Sequence, residues 1–148
     1  MELILWRHAD AEDGIQDAGR KLTAKGAKQA ECMAAWLRQR LPKDTVVLVS
    51  PARRAQQTAQ ALSKKFETSP AVSTAATPES LLEAAGWPDR KGAVVVVGHQ
   101  PTLGAAAALA LTGSATQWSV RKGAVWWLER RERDHVTVLR AVVSPDLL

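Results

Sequence analysis

The chain has 148 residues, 46% of them hydrophobic and 24% charged, with a formal net charge of +5, the make-up of one ordinary globular domain spanning residues 1–148. No apolar run approaches the roughly 18 residues of a membrane span, and no basic flank precedes a long apolar stretch near the start, so a cytoplasmic protein with no membrane contact is expected. The lone cysteine, Cys32, cannot form an internal disulfide and reads as a packing residue, and basic residues are dispersed among acidic ones rather than striped with aromatics, which argues against nucleic acid as a partner.

Leu3-Ile4-Leu5-Trp6 is an unbroken apolar run that ends in Arg7-His8, as expected of a strand buried on both faces of a parallel sheet. Residues 9–21 are polar, glycine-containing and without period, a loop at a strand end where function often resides. Thr23 offers an N-cap for a helix with Ala27, Ala30, Ala34, Leu37 and Leu41 on one face, closed by Pro42. A second buried strand, Val46–Val49, runs into Ser50-Pro51, which reads as an N-cap followed by proline at the first helical position. Along that helix Ala55, Ala59, Leu62 and Phe66 form an apolar stripe. Arg53 falls opposite the stripe and Arg54 on its flank, with Thr58 one turn on.

Residues 68–92 predict a short strand near Val72, a helix capped at Thr77-Pro78 and running to Gly86, and a loop from Trp87 to Gly92. Ala93–Val97 is a third buried strand, ending in Gly98-His99-Gln100. Pro101-Thr102 opens an alanine-rich helix to about Gly113. Ala124–Leu128 and Val136–Val143 read as two strands joined by a charged turn. The expected fold is α/β: a three-layer αβα sandwich with a mostly parallel central sheet and antiparallel pairing at one edge.

Ligands bind outside the carboxyl ends of the strands in such sheets, so Arg7, His8, Arg54 and His99 are expected to meet in one crevice. Two imidazoles with two guanidiniums suit phosphoryl chemistry. Arginine matches phosphate oxygens with a fixed fork of donors. A neutral histidine can be a nucleophile, and a protonated one can donate to the charged oxygens of the transition state. That division of labour predicts a rate bounded by two titrations. A metal-dependent hydrolase with His8, Asp10 and His99 as ligands is the competing enzyme class, and a phosphoprotein-binding module without turnover is the non-enzymatic one.

Arg7-His8-Ala9, Ser50-Pro51-Ala52-Arg53-Arg54-Ala55-Gln56-Gln57-Thr58-Ala59 and Val97-Gly98-His99-Gln100-Pro101, in this order, resemble the histidine phosphatase (phosphoglycerate mutase-like) superfamily. The short length, Asp17 and Arg20 ahead of Leu22–Gly26, and Ser144-Pro145 are most similar to its phosphohistidine phosphatases. The resemblance implies that His8 is phosphorylated, that Arg7, Arg54 and His99 bind phosphate, and that neither metal nor organic cofactor is used. It further implies a monomer acting on a phosphohistidine-bearing protein, with a small-molecule phosphate monoester as the alternative substrate. A glycine commonly follows the Arg-His pair in that superfamily, where Ala9 stands here. The carboxylate general acid of many relatives has only Glu79, or less well Glu83, as a candidate.

Overall fold

The computed structural model describes residues 1–148. Strands and α-helices alternate up to a closing pair of strands: β1 (Glu2–Arg7), α1 (Ala24–Arg38), β2 (Val46–Val49), α2 (Arg53–Leu62), β3 (Glu67–Thr68), α3 (Pro78–Ala85), β4 (Ala93–Gly98), α4 (Thr102–Thr112), β5 (Val125–Arg130) and β6 (Thr137–Val143). The six strands form one sheet in the order β3-β2-β4-β1-β5-β6. The first four in that order run parallel, while β5 is antiparallel to β1 and β6 antiparallel to β5. This is the expected αβα sandwich.

The side-chain period of two divides each central strand between two cores. Leu3, Leu5, Leu48, Val94 and Val96 pack with Leu81, Leu82, Leu103 and Ala106 from α3 and α4. Ile4, Trp6, Val47, Val49, Val95 and Val97 pack with Met33, Ala34, Leu37, Ala55 and Ala59 from α1 and α2. Both faces of β4 are therefore covered, which explains its run of valines.

Register decides where the polar ends fall. Trp6 lies level with Val97, and Arg7 with Gly98, in the β1–β4 pair. Val49 also lies level with Val97 in the β2–β4 pair. The ladder continues one step beyond the strands, because His8 N–H donates to the Gly98 carbonyl at 3.0 Å and Ser50 N–H to the Val97 carbonyl at 3.1 Å. His8, Ser50 and His99 thus leave the sheet side by side.

Several boundaries differ from expectation. Val72 lies in a 3₁₀ turn (Pro70–Val72), and the short strand is Glu67–Thr68. Helix α1 ends at Arg38 rather than running to Pro42, and its buried face is Gly26, Ala30, Met33, Ala34 and Leu37, with Ala27 exposed. Helix α2 begins at Arg53 with Ala52 at the N-cap; the Ser50 hydroxyl is committed elsewhere. Phe66 lies beyond the end of α2 but still packs on the same core. Cys32 is half-buried rather than a core residue. The Thr77 cap forms a reciprocal pair with Ser80, and Gly86 closes α3 at φ 75°. Edge strand β6 carries a bulge opposite Trp127/Leu128, and no helix is long and apolar enough to cross a membrane.

Gly26 sits where the loop after His8 crosses α1: a Cβ there would fall 1.9 Å from the Asp10 carbonyl oxygen. Alanine gains about 1 kcal/mol over glycine in helix propensity, but overlap with a backbone atom that is itself hydrogen-bonded costs more, typically about 1–3 kcal/mol or above. Gly26→Ala should be destabilising overall by up to about 2 kcal/mol, read as a lower urea midpoint. Gly19→Ala, with open space around the new Cβ, should move stability by less than about 0.5 kcal/mol.

Candidate active site

The strand exits place His8 and His99 together, with ring centroids 5.2 Å apart and an interplanar angle of 53°. Both rings are buried, at 7% and 5% exposure, and Arg54 is more so at 3%. Arg7 projects from the last position of β1 and Arg54 from the first turn of α2. All four residues singled out from the sequence are thus in one cluster at the carboxyl edge of the sheet, and Arg53 is exposed as expected.

Hydrogen bonds define the state of His8. Its Nδ1 lies 2.8 Å from the Ala9 carbonyl, an oxygen that can only accept, so Nδ1 carries the ring proton. Nε2 is left with its lone pair, and Arg54 Nε–H approaches that atom at 3.3 Å. The nitrogen with the free electron pair is the one facing the guanidinium. Two further Arg54 donors go to the loop after β1: Nη1 to the Asp17 carbonyl at 2.8 Å and Nη2 to the Asp17 carboxylate at 3.2 Å. Arg20 grips the same carboxylate at 2.9 Å.

The residues between the motif's arginine and its end hold this arrangement in place. The Thr58 hydroxyl donates to the Arg54 carbonyl at 2.7 Å and accepts from Ala9 N–H at 3.1 Å, joining α2 to the loop. Gln57 accepts from Leu22 N–H at 2.7 Å, and Gln56 donates to the Ser50 carbonyl at 2.8 Å. The methyl group of Ala9 is fully buried, and its amide is already used by Thr58. Ser50 is the residue that sequence reasoning missed as a site member. Its Oγ lies 2.7 Å from His99 Nε2 and accepts from Ala52 N–H at 3.2 Å, so that amide is not free for an anion.

Two buried polar side-chain atoms have no hydrogen-bond partner in the protein, Arg7 Nε and His99 Nδ1, and both belong to this cluster. Arg7 spends Nη1 on the Val120 carbonyl at 2.9 Å, which fixes its side chain while leaving Nε unpaired. A buried guanidinium donor without an acceptor is costly unless a ligand supplies one. Glu79 is exposed in the first turn of α3 and makes no side-chain hydrogen bond to the cluster. Asp10 is drawn away to Thr23 and Lys122, at 2.7 Å and 3.0 Å, and so does not join His8 and His99 as the competing metal reading requires.

Electrostatics corrects one expectation. Burial, opposed by the hydrogen bond to Ala9 and reinforced by Arg54, Arg7 and Arg20, pushes His8 down to about 4. Burial first, then His8 and Arg54, pushes His99 down to about 3, with Asp17 opposing. With only protein groups around them, both rings are therefore neutral at neutral pH, not one neutral and one protonated. The Asp17 carboxyl is held below its usual range by Arg20 and then Arg54, so the carboxylate in this cluster stays ionised and is a poor proton donor.

Residues 3–84 match a family model described as the histidine phosphatase superfamily (branch 1). An uncharacterized protein of Picosynechococcus sp. is 37% identical over an alignment 116 residues long that covers 70% of this chain and 69% of that protein. The Escherichia coli phosphohistidine phosphatase SixA is 41% identical over 59 residues, 39% of this chain and 37% of its own length. A solved structure of the protein histidine phosphatase SixA complexed with tungstate is similar over 99% of both chains, with a TM-score of 0.81 and 25% identity.

The depressed histidine values set a pH dependence. Below the ordinary 6.5 the unfolded chain binds protons that the folded site refuses until about 4 at His8 and about 3 at His99. Stability is therefore lost as pH falls through that window, and is unaffected by these rings above it. An NMR pH titration in phosphate-free buffer should place both imidazole midpoints below about 5, with inorganic phosphate raising them. A midpoint of about 6.5 or higher for either ring, without phosphate, would contradict the desolvated site.

Proposed function

Because the chain belongs to the histidine phosphatase superfamily, whose members are phosphatases with a catalytic histidine, we propose that it is a metal-independent phosphohistidine phosphatase acting on a histidine-phosphorylated protein. The observation that carries the reading is the His8 tautomer. With Nδ1–H held by the Ala9 carbonyl, Nε2 presents its electron pair among two arginines, which is what a nucleophile toward phosphorus requires. Similarity to SixA in sequence and fold supports the substrate class.

In the proposed reaction Nε2 of His8 bonds to phosphorus as the bond from phosphorus to the substrate's ring nitrogen breaks. A substrate ring that carries a proton on its other nitrogen leaves as neutral imidazole, so no acid has to protonate the leaving atom. His8 takes over the positive charge, and the Ala9 carbonyl accepts from its Nδ1–H throughout. One phosphohistidine is exchanged for another, which makes the step close to thermoneutral. A water oxygen then bonds to phosphorus, the phosphorus–Nε2 bond breaks, and dihydrogen phosphate leaves with neutral His8 restored. Arg7, Arg54 and His99 hold the phosphoryl oxygens, where charge is spread in the transition state.

The exposed position of Glu79 and the ionised state of Asp17 favour a phosphoramidate over an alkyl ester, whose leaving oxygen needs a proton. On this reading the protein is cytoplasmic and monomeric, and it uses no cofactor.

Phosphate release from a radiolabelled phosphohistidine protein should proceed in the presence of a chelator and fall by about 10³-fold or more in His8→Ala. Equal or faster turnover of a small phosphate ester would move the assignment to a monoester phosphatase. Loss of activity on chelation would remove the metal-free mechanism.

A further inference from the structure

Ser50 is fully buried, and its hydroxyl has two neighbours. Ala52 N–H can only donate, so Oγ accepts there at 3.2 Å. The other neighbour is His99 Nε2, at 2.7 Å. If Nε2 carried the ring proton, Oγ would accept from both sides and the hydroxyl hydrogen would be left in the interior without an acceptor, at a cost of about 1–3 kcal/mol. If the hydroxyl donates to Nε2, Ser50 Oγ–H, Ala52 N–H and His99 Nε2 are all satisfied. The proton of His99 then resides on Nδ1, a buried atom with no protein partner. With Arg7 Nε, the cluster holds two buried donors, and their common complement is a group that only accepts.

We propose that Ser50 is a positioning residue that locks His99 in the Nδ1–H tautomer, making His99 a hydrogen-bond donor to the transferred phosphoryl group. The lock lets the second histidine donate without being a cation, which fits a pocket where burial and two arginines keep the ring neutral. It also couples three elements. Ser50 leaves the end of β2, His99 the end of β4, and Ala52 caps α2. The consequence for turnover rests on the phosphatase reading; the tautomer does not.

The test is a two-bond proton–nitrogen NMR correlation of the histidine rings at neutral pH without phosphate, on the wild-type protein and on Ser50→Ala. His99 of the wild type should show a protonated Nδ1 and a pyridine-like Nε2. In Ser50→Ala that single pattern should give way to a mixture, with kcat on the phosphohistidine protein lower by about tenfold or more and KM changed less. A proton on Nε2 in the wild type would overturn the proposal, and so would an unchanged pattern in a folded Ser50→Ala. Should Ser50→Ala fail to fold, the wild-type spectrum decides alone. A wild type that shows the expected tautomer but turns over no phosphohistidine protein counts against the phosphatase reading and leaves the tautomer lock standing.

Discussion

Everything at the site follows from the level register of β2, β4 and β1. Parallel strands related by one shared row, Val49 with Val97 and Val97 with Trp6, must end at the same height, and each is followed by a polar residue. The hydrogen bonds from His8 to Gly98 and from Ser50 to Val97 carry the ladder one step past the apolar runs. Slipping either pair by one residue would turn every side chain to the opposite core. It would also separate the two imidazoles, so the two cores that hold the register also hold the site together.

Concentrating basic groups in so dry a place has a price, which falls on the histidines. Arginine stays charged under any relevant condition, so when Arg54 is 3% exposed and Arg7 is partly buried, the groups that can yield are the imidazoles. Both do, and a pair of neutral rings is the result. Neutrality keeps the electron pair on His8 Nε2 available. It also shifts the burden of placing protons onto fixed acceptors and donors, Ala9 for one ring and Ser50 for the other.

Much of this was legible in the sequence because it rests on period and sequence order. Apolar runs that stop abruptly mark β1, β2 and β4, and a hundred-degree step along α2 separates Arg54 from Arg53. What could not be read has a common physical origin in contacts between distant segments. Ser50 followed by Pro51 looks like a helix cap by local rules, yet a histidine forty-nine residues away claims its hydroxyl. The strand expected near Val72 failed because pairing with β2 falls on Glu67–Thr68, two polar residues that carry no strand pattern. The charge state of the histidine pair could not be read because desolvation is a property of the assembled pocket and has no counterpart in composition.

The grip of Asp17 on Arg54 has a thermodynamic corollary. Three of the five guanidinium N–H donors are already committed, to the Asp17 carbonyl, the Asp17 carboxylate and His8 Nε2, so an anion that takes Arg54 as its ligand has two Nη hydrogens to itself and must displace an existing bond to gain more. For each bond it displaces, only the difference between the new bond and the old contributes to affinity. The carboxylate is tethered and always at hand, while a free anion must be drawn from dilute solution. Occupancy of this arginine by an external oxyanion is therefore in part an exchange, and to that extent it is weaker and more readily reversed than for an arginine with all five donors unpaired.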